Sequence, residues 1–180
     1  MELATDRLIL RELAEDDWRT LHAIESIPDV VRYLPHEPRT EDAAREYVQG
    51  IIVSAREVPR TVIDLAITLR GEGAMIGRCG MGCRDGDLRV AYLWFVIDPA
   101  HAGKGYVTEA ATALLAYAFD ELKRHRVFGE CDPRNASSAR VMEKLGMRRE
   151  AEHLEDVWIK GEWCSTWVYA LLDYEWAARR

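Results

Sequence analysis

Asp98-Pro99-Ala100-His101-Ala102-Gly103-Lys104-Gly105-Tyr106-Val107-Thr108-Glu109-Ala110-Ala111 is the stretch on which the reading of this 180-residue chain turns. Asp98 and Pro99 stop an apolar run, and two glycines follow. From there Val107, Ala110, Ala111, Leu114, Leu115, Ala118, Phe119 and Leu122 fall at the spacing of a long amphipathic helix. A strand end, a glycine loop and a helix start in succession leave several backbone N–H groups unpaired at the positive end of a helix dipole, an arrangement that binds phosphate. The glycines let the backbone approach an anion closely and adopt left-handed turns that a Cβ disfavours.

Upstream, three strand-like segments, Thr61 to Leu69, Ala74 to Cys83 and Leu88 to Ile97, are separated by the turn sequences Arg70-Gly71-Glu72-Gly73 and Arg84-Asp85-Gly86-Asp87. They predict an antiparallel meander. Its third strand is apolar without interruption from Val90 to Ile97, which places it at the centre of a sheet covered on both faces. Farther upstream, Arg7 to Leu13 reads as a first strand, and Glu15-Asp16-Asp17 opens a helix. Pro28 starts a short helical turn, and Thr40 caps a helix from Glu41 to about Glu57. Downstream come a strand from Val127 to Cys131, a helix capped by Asn135 and ended by Gly146, and a strand pair, Met147 to Trp158 and Trp163 to Leu172. The order predicts one mixed α/β domain over residues 1–180, with a largely antiparallel sheet flanked by helices.

Two common phosphate loops do not fit. A P-loop has four residues between its glycines and then Lys-Ser/Thr, unlike Gly103-Lys104-Gly105-Tyr106-Val107-Thr108. A dinucleotide fingerprint needs glycine or alanine where Thr108 stands and opens a parallel βαβ series, not the end of a meander. The quoted stretch instead resembles the acetyl-CoA loop of the GNAT N-acetyltransferase superfamily, in particular its ribosomal-protein-alanine acetyltransferase (Rim-like) branch. A second stretch, Arg134-Asn135-Ala136-Ser137-Ser138-Ala139-Arg140-Val141-Met142-Glu143-Lys144-Leu145-Gly146-Met147, is similar to that branch's second signature. Thr5 to Arg11 and Gly161-Glu162-Trp163 resemble its opening and its C-terminal hairpin, so the likeness runs from about residue 5 to 176.

The resemblance implies a sheet splayed at its middle with acetyl-CoA as co-substrate. It implies that backbone N–H groups of Ala102, Gly103, Lys104, Gly105, Tyr106 and Val107 hold the pyrophosphate, and that pantetheine lies between the strand carrying Phe95, Val96 and Ile97 and the strand Phe128 to Cys131. It gives Asn135 a contact with pantetheine besides its capping role, and it puts Ser138 near the CoA sulfur, where the hydroxyl donates to the departing thiolate. Met142 stands where many relatives carry a tyrosine general acid, and Val157 where the branch carries a glutamate. Glu130 and Asp156 are therefore the candidate bases, with Glu155 on the opposite strand face from Asp156.

The amine follows from chemistry. At pH 7.5 a lysine amine is only ~0.1% neutral, whereas an α-amine is about one-third neutral. A chain without an evident strong base is expected to acetylate a protein or peptide N-terminal α-amine by direct attack. An aminoglycoside or polyamine acetyltransferase is the alternative, and a non-catalytic acyl-CoA-binding module a third reading. A net charge of −7 argues against nucleic-acid binding. The longest apolar run, eight residues, is short of a membrane span, and the N-terminus has no secretory pattern, so a cytoplasmic protein is expected. Cys79, Cys83, Cys131 and Cys164 are scattered, predicting reduced thiols and no metal site. A homodimer is compatible with the resemblance.

Overall fold

The computed structural model describes residues 1–179. Eight strands form one sheet in the order β1-β2-β3-β4-β5-β6-β8-β7: β1 Glu2–Ala4, β2 Leu8–Glu12, β3 Val62–Leu69, β4 Met75–Arg84, β5 Asp87–Ile97, β6 Arg126–Cys131, β7 Arg148–Ile159 and β8 Glu162–Leu172. Helices α1 Trp18–Glu25, α2 Pro28–Val31 and α3 Glu41–Ser54 precede the meander. Helices α4 Tyr106–Ala116 and α5 Ala136–Lys144 flank β6, and α6 Asp173–Ala177 ends the described chain.

The period-two pattern of each strand sorts its side chains between two cores. On one face Leu8, Leu10, Leu65, Ile67 and Leu93 pack with Leu114 and Leu115 of α4 and Met142 of α5. On the other, Ala66 and Met75 meet Leu21 of α1 and Ala44 and Val48 of α3. The predicted caps are present: the Thr40 hydroxyl accepts from Ala43 N–H at 3.2 Å, and Asn135 Oδ1 accepts from Ser138 N–H at 3.1 Å. Each such cap is worth ~1 kcal/mol.

Several boundaries differ from the sequence expectation. β1, three residues long and paired only with β2, is too short to show a pattern. α3 stops at Ser54, whose hydroxyl donates back to Ile51 O at 3.0 Å, and α4 passes into a π-helical turn at Tyr117–Glu121. β5 lies inside the sheet as expected, yet Trp94, Phe95 and Ile97 are only half-buried. The cause is the sheet's one parallel contact. β5 and β6 pair only at Val90↔Arg126, Ala91↔Val127 and Tyr92↔Phe128, and then part.

The parted edges have defined polarity. Asp98 N–H donates to Ile76 O at 2.9 Å, so alternation along the antiparallel β4–β5 pair commits the backbone of Val96 and Trp94 to β4 and turns that of Ile97, Phe95 and Leu93 into the gap. Across it, Asp173 N–H donates to His125 O at 3.0 Å, so the same alternation along β6–β8 turns the backbone of Glu130 into the gap. The fold thus opens a slot lined on both sides by peptide groups that the sheet does not use.

Candidate active site

The glycine loop stands at the wide end of the slot, where β5 ends. Pro99–His101 makes one helical turn, held by Ala100 N–H donating to Asp98 Oδ1 at 2.9 Å. Gly103 and Gly105 then adopt φ +75° and +82°. The first backbone bond of α4 runs from Glu109 N–H to Gly105 O at 3.0 Å, leaving the N–H groups of Tyr106, Val107 and Thr108 without an intrahelical carbonyl. Tyr106 and Val107 fall within the expected Ala102 to Val107 segment and Thr108 lies just beyond it, whereas the N–H of Ala102, expected as a donor, is spent on Pro99 O at 3.2 Å.

Two residues that sequence reasoning missed hold this loop. Glu109, in the first turn of α4, accepts from the Thr5 hydroxyl at 2.6 Å and from the Arg7 backbone N–H at 2.9 Å and Nε at 2.7 Å. Arg7 also donates to Lys104 O at 3.1 Å and lies 4.7 Å over the Tyr106 ring. Partial burial acts against the Glu109 carboxylate, but the Thr5 hydroxyl and Arg7 together hold its pKa below the ordinary value. The β1–β2 turn is thereby tied to the loop it faces, although some 100 residues separate them in sequence.

The two faces of the slot carry different chemistry. On the α4–α5 face, Ser138 sits in the first turn of α5 beside Cys131. Burial pushes the Cys131 thiol up to about 11, Asp132 and Glu143 add to the shift, and the Ser138 hydroxyl bond opposes it. Met142 is buried against Gly129, where a Cβ would meet its Sδ at 2.9 Å.

On the α1–α3 face, alternation places Trp94 of β5 and Glu130 of β6 on the two banks of the slot. Glu130 is exposed, with Arg84 Nη1 3.9 Å away. Tyr92 lies between the Trp94 and Phe128 rings, at centroid distances of 6.1 and 5.3 Å. Asp156 is on the edge strand β7, with β8 between it and β6, and its Oδ1 accepts from the Thr166 hydroxyl at 2.9 Å. Three residues, Leu154, Glu155 and Asp156, bulge between the pairs His153↔Thr166 and Val157↔Cys164, with Glu155 at φ +47°. Ser138 and Glu130 thus border the slot, whereas Asp156 belongs to β7, two strands over from β6. Trp94 lies beside the slot, whereas Trp158 and Trp163 pair edge to face on the exposed hairpin and Trp167 packs against the core on the α4–α5 face.

Beneath Trp94 lies a buried ionic network. Asp64 Oδ1 accepts from Trp94 Nε1 at 3.1 Å, and its Oδ2 from the Tyr47 hydroxyl at 2.6 Å and Arg78 Nη1 at 3.0 Å. Arg78 Nε continues to Glu25 Oε1 at 2.7 Å, and Arg39 Nε reaches Glu25 Oε2 at 2.5 Å. Asp64 and Glu25 are wholly buried. Burial raises the Glu25 carboxyl, but Arg78 and Arg39 outweigh it and leave the pKa below the ordinary value. Burial likewise disfavours the Arg78 charge, and Asp64, Tyr47 and Glu25 more than restore it. Aspartate and arginine at inward positions of the apolar strands β3 and β4 were the available signal for this network.

Among the described residues no group of three His, Cys, Asp or Glu side chains could hold a metal ion, and no helix is long and apolar enough to cross a membrane. The family model for the GNAT acetyltransferase domain matches residues 7–148. An uncharacterized N-acetyltransferase of Bacillus subtilis, YnaD, is 33% identical over 98% of this chain and 99% of its own. The crystal structure of a GNAT-family acetyltransferase from Bacillus anthracis superposes with TM-score 0.87 at 32% identity, covering 97% of this chain and all of that one. More distant relatives differ in acceptor. Spermidine N(1)-acetyltransferase of Escherichia coli is 24% identical over 86% of this chain and 80% of its own. RimL, a ribosomal L7/L12 α-N-protein acetyltransferase solved with coenzyme A, shares the fold with TM-score 0.84 at 19% identity over 97% of this chain and 99% of that one.

Proposed function

The chain belongs to the GNAT family of acetyl-CoA-dependent N-acetyltransferases, and on that premise we propose that it acetylates the N-terminal α-amine of a protein or peptide by direct attack on the thioester. The observation that carries the proposal is the slot between β5 and β6, which separates the departing thiol from the incoming amine. Pantetheine amides complete the edges offered by Leu93, Phe95, Ile97 and Glu130, as an added strand would, and the pyrophosphate meets the N–H groups from Gly103 to Val107. Val96, whose backbone pairs with β4, contributes its side chain alone.

In this reading the amine approaches from the α1–α3 face between Trp94 and Glu130, and the C–N bond forms as the C–S bond breaks. Ser138, on the opposite face, donates to the leaving thiolate, whose low basicity makes the missing tyrosine tolerable. Glu130 takes the amine's proton directly or through a water. The acid beside the slot is exposed rather than buried in an apolar setting, which favours an amine with a substantial neutral fraction at pH 7.5. That condition selects an α-amine over a lysine side chain. The cytoplasm, where acetyl-CoA and reduced thiols coexist, is the matching compartment.

The test is thiol release from acetyl-CoA with a panel of free N-terminal peptides, N-terminally blocked lysine peptides, spermidine and an aminoglycoside, with products located by mass spectrometry. Fastest transfer to the peptide α-amine is expected. Faster transfer to lysine, spermidine or the aminoglycoside overturns the acceptor assignment, and CoA binding without turnover on any amine overturns the catalytic one.

A further inference from the structure

Trp94, on the acceptor bank of the slot, is held both by packing and by a hydrogen bond. A Cβ built on Gly80 would meet Trp94 Cε2 and Cζ2 at 2.6 Å, and one on Gly82 would meet Cζ3 at 3.3 Å. The indole therefore lies flat on a strip of β4 that carries no side chains. Nε1 is fixed by wholly buried Asp64, itself held by Tyr47 and Arg78, and the network continues through Glu25 to Arg39. Desolvating several charges beneath one ring is costly unless all are mutually paired, as here. One ring face is spent on the glycine strip, while the residue as a whole remains only half-buried.

Position adds the second half of the argument. Trp94 lies between Leu93 and Phe95, whose backbone groups line the slot, and its side chain rises on the face opposite Ser138. Tyr92 and Phe128 extend the aromatic surface across the point where β5 and β6 part, and Glu130 closes its far side. An amine that reaches the slot from this face passes between an indole plane and a carboxylate.

We propose that Trp94 is a specificity-determining residue: its free face receives an apolar or planar side chain on the carbon next to the acceptor amine, while Glu130 receives the amine itself. The inference rests on the acetyl-transfer reading and narrows its substrate class to α-amines of residues such as Phe or Leu, over Gly and over aliphatic polyamines. Tyr47, Arg78 and Asp64 are positioning residues that keep the indole on the glycine strip.

The experiment compares kcat/KM for peptides differing only in their first residue, Phe, Leu, Ala or Gly, and for spermidine, in the unaltered protein, Trp94→Ala and Trp94→Phe. The unaltered protein is expected to favour Phe and Leu over Gly by about tenfold or more, the scale of one well-packed apolar contact. Trp94→Ala should collapse that ratio while leaving the KM for acetyl-CoA within about twofold, and Trp94→Phe should restore part of it. A merely structural tryptophan would lower all acceptors alike. Uniform loss, an unchanged ratio in Trp94→Ala, or a preference for Gly or spermidine in the unaltered protein overturns this inference and leaves acetyl transfer standing. Absence of turnover with every acceptor in the unaltered protein overturns both. Trp94→Phe, which keeps a ring on the strip, carries the test if Trp94→Ala fails to fold.

Discussion

Gly105→Ala probes the donor loop with the smallest possible change. Gly105 has φ +82°, and the nearest heavy atom to a new Cβ would be Arg7 Nη2 at 3.4 Å, an ordinary van der Waals distance. Crowding is therefore minor, and the left-handed backbone dominates, at about 1–2 kcal/mol for an alanine. The protein can respond in two ways. If the Arg7–Glu109 tie holds the loop in place, the cost appears as lost stability. If the loop relaxes toward negative φ, the N–H groups of Gly105 and Tyr106 turn from the pyrophosphate, and the same energy appears as a KM for acetyl-CoA raised about 5- to 30-fold. Adding Arg7→Ala removes the tie and should shift the cost from melting temperature to KM. The assay pairs thermal melts with initial rates at saturating peptide. A Gly105→Ala protein unchanged in both melting temperature and KM, alone and with Arg7→Ala, would refute the reasoning.

Glu130→Gln should reduce kcat for α-amine peptides by about 10²-fold while leaving the KM for acetyl-CoA unchanged, since the carboxylate lies on the acceptor bank; unchanged kcat in steady-state assays removes Glu130 as the base. Glu25 has a folded-state pKa below its ordinary 4.5, so the stability it supplies is complete above that value and lost as pH falls through the depressed one. Melting temperature should thus drop below about pH 4.5, and Glu25→Gln, less stable at pH 7 by about 3 kcal/mol, should show a shallower acid slope; parallel curves would contradict the assignment. Gly129→Ala drives a Cβ to 2.9 Å from Met142 Sδ and should destabilise by about 1–3 kcal/mol, with Met142→Ala recovering part of the loss in a double-mutant cycle of chemical denaturation. Gly50→Ala, in the interior of α3 with no atom within 4 Å of the new Cβ, should instead raise stability by about 0.5–1 kcal/mol in the same assay.

Most of the fold was legible because its signals are local. The apolar run of β5, the stop at Asp98-Pro99 and the glycines before α4 each lie within a few residues, and the observed elements follow them closely. The caps at Thr40 and Asn135 were legible for the same reason. The site was less so, because its decisive relations join distant segments. Nothing in Thr5-Asp6-Arg7 alone announces that Glu109 will accept from both Thr5 and Arg7. Val96 and Phe95 look equivalent in sequence, and only the register with β4 shows that one backbone is spent and the other free. Asp156 reads as a strand residue beside the resembled glutamate, but only the folded chain shows that it sits in a bulge of the edge strand β7, with β8 between it and β6. Asp64 and Arg78 lie 14 positions apart and pass for unrelated strand charges until the sheet brings them within 3.0 Å.

The parted strands have a bearing on how the enzyme would answer to metabolic state. Nearly everything the slot and the glycine loop offer a donor, the peptide edges of Leu93, Phe95 and Ile97 and the N–H groups at α4, addresses parts of the molecule that acetyl transfer leaves intact. On the proposed reading the spent carrier would therefore keep almost the whole of its hold after the reaction, and would depart little faster than the charged carrier. Such a protein would be throttled by its own product, so its rate in a cell would follow the proportion of coenzyme A that is acetylated, not the amount of acetyl-CoA by itself.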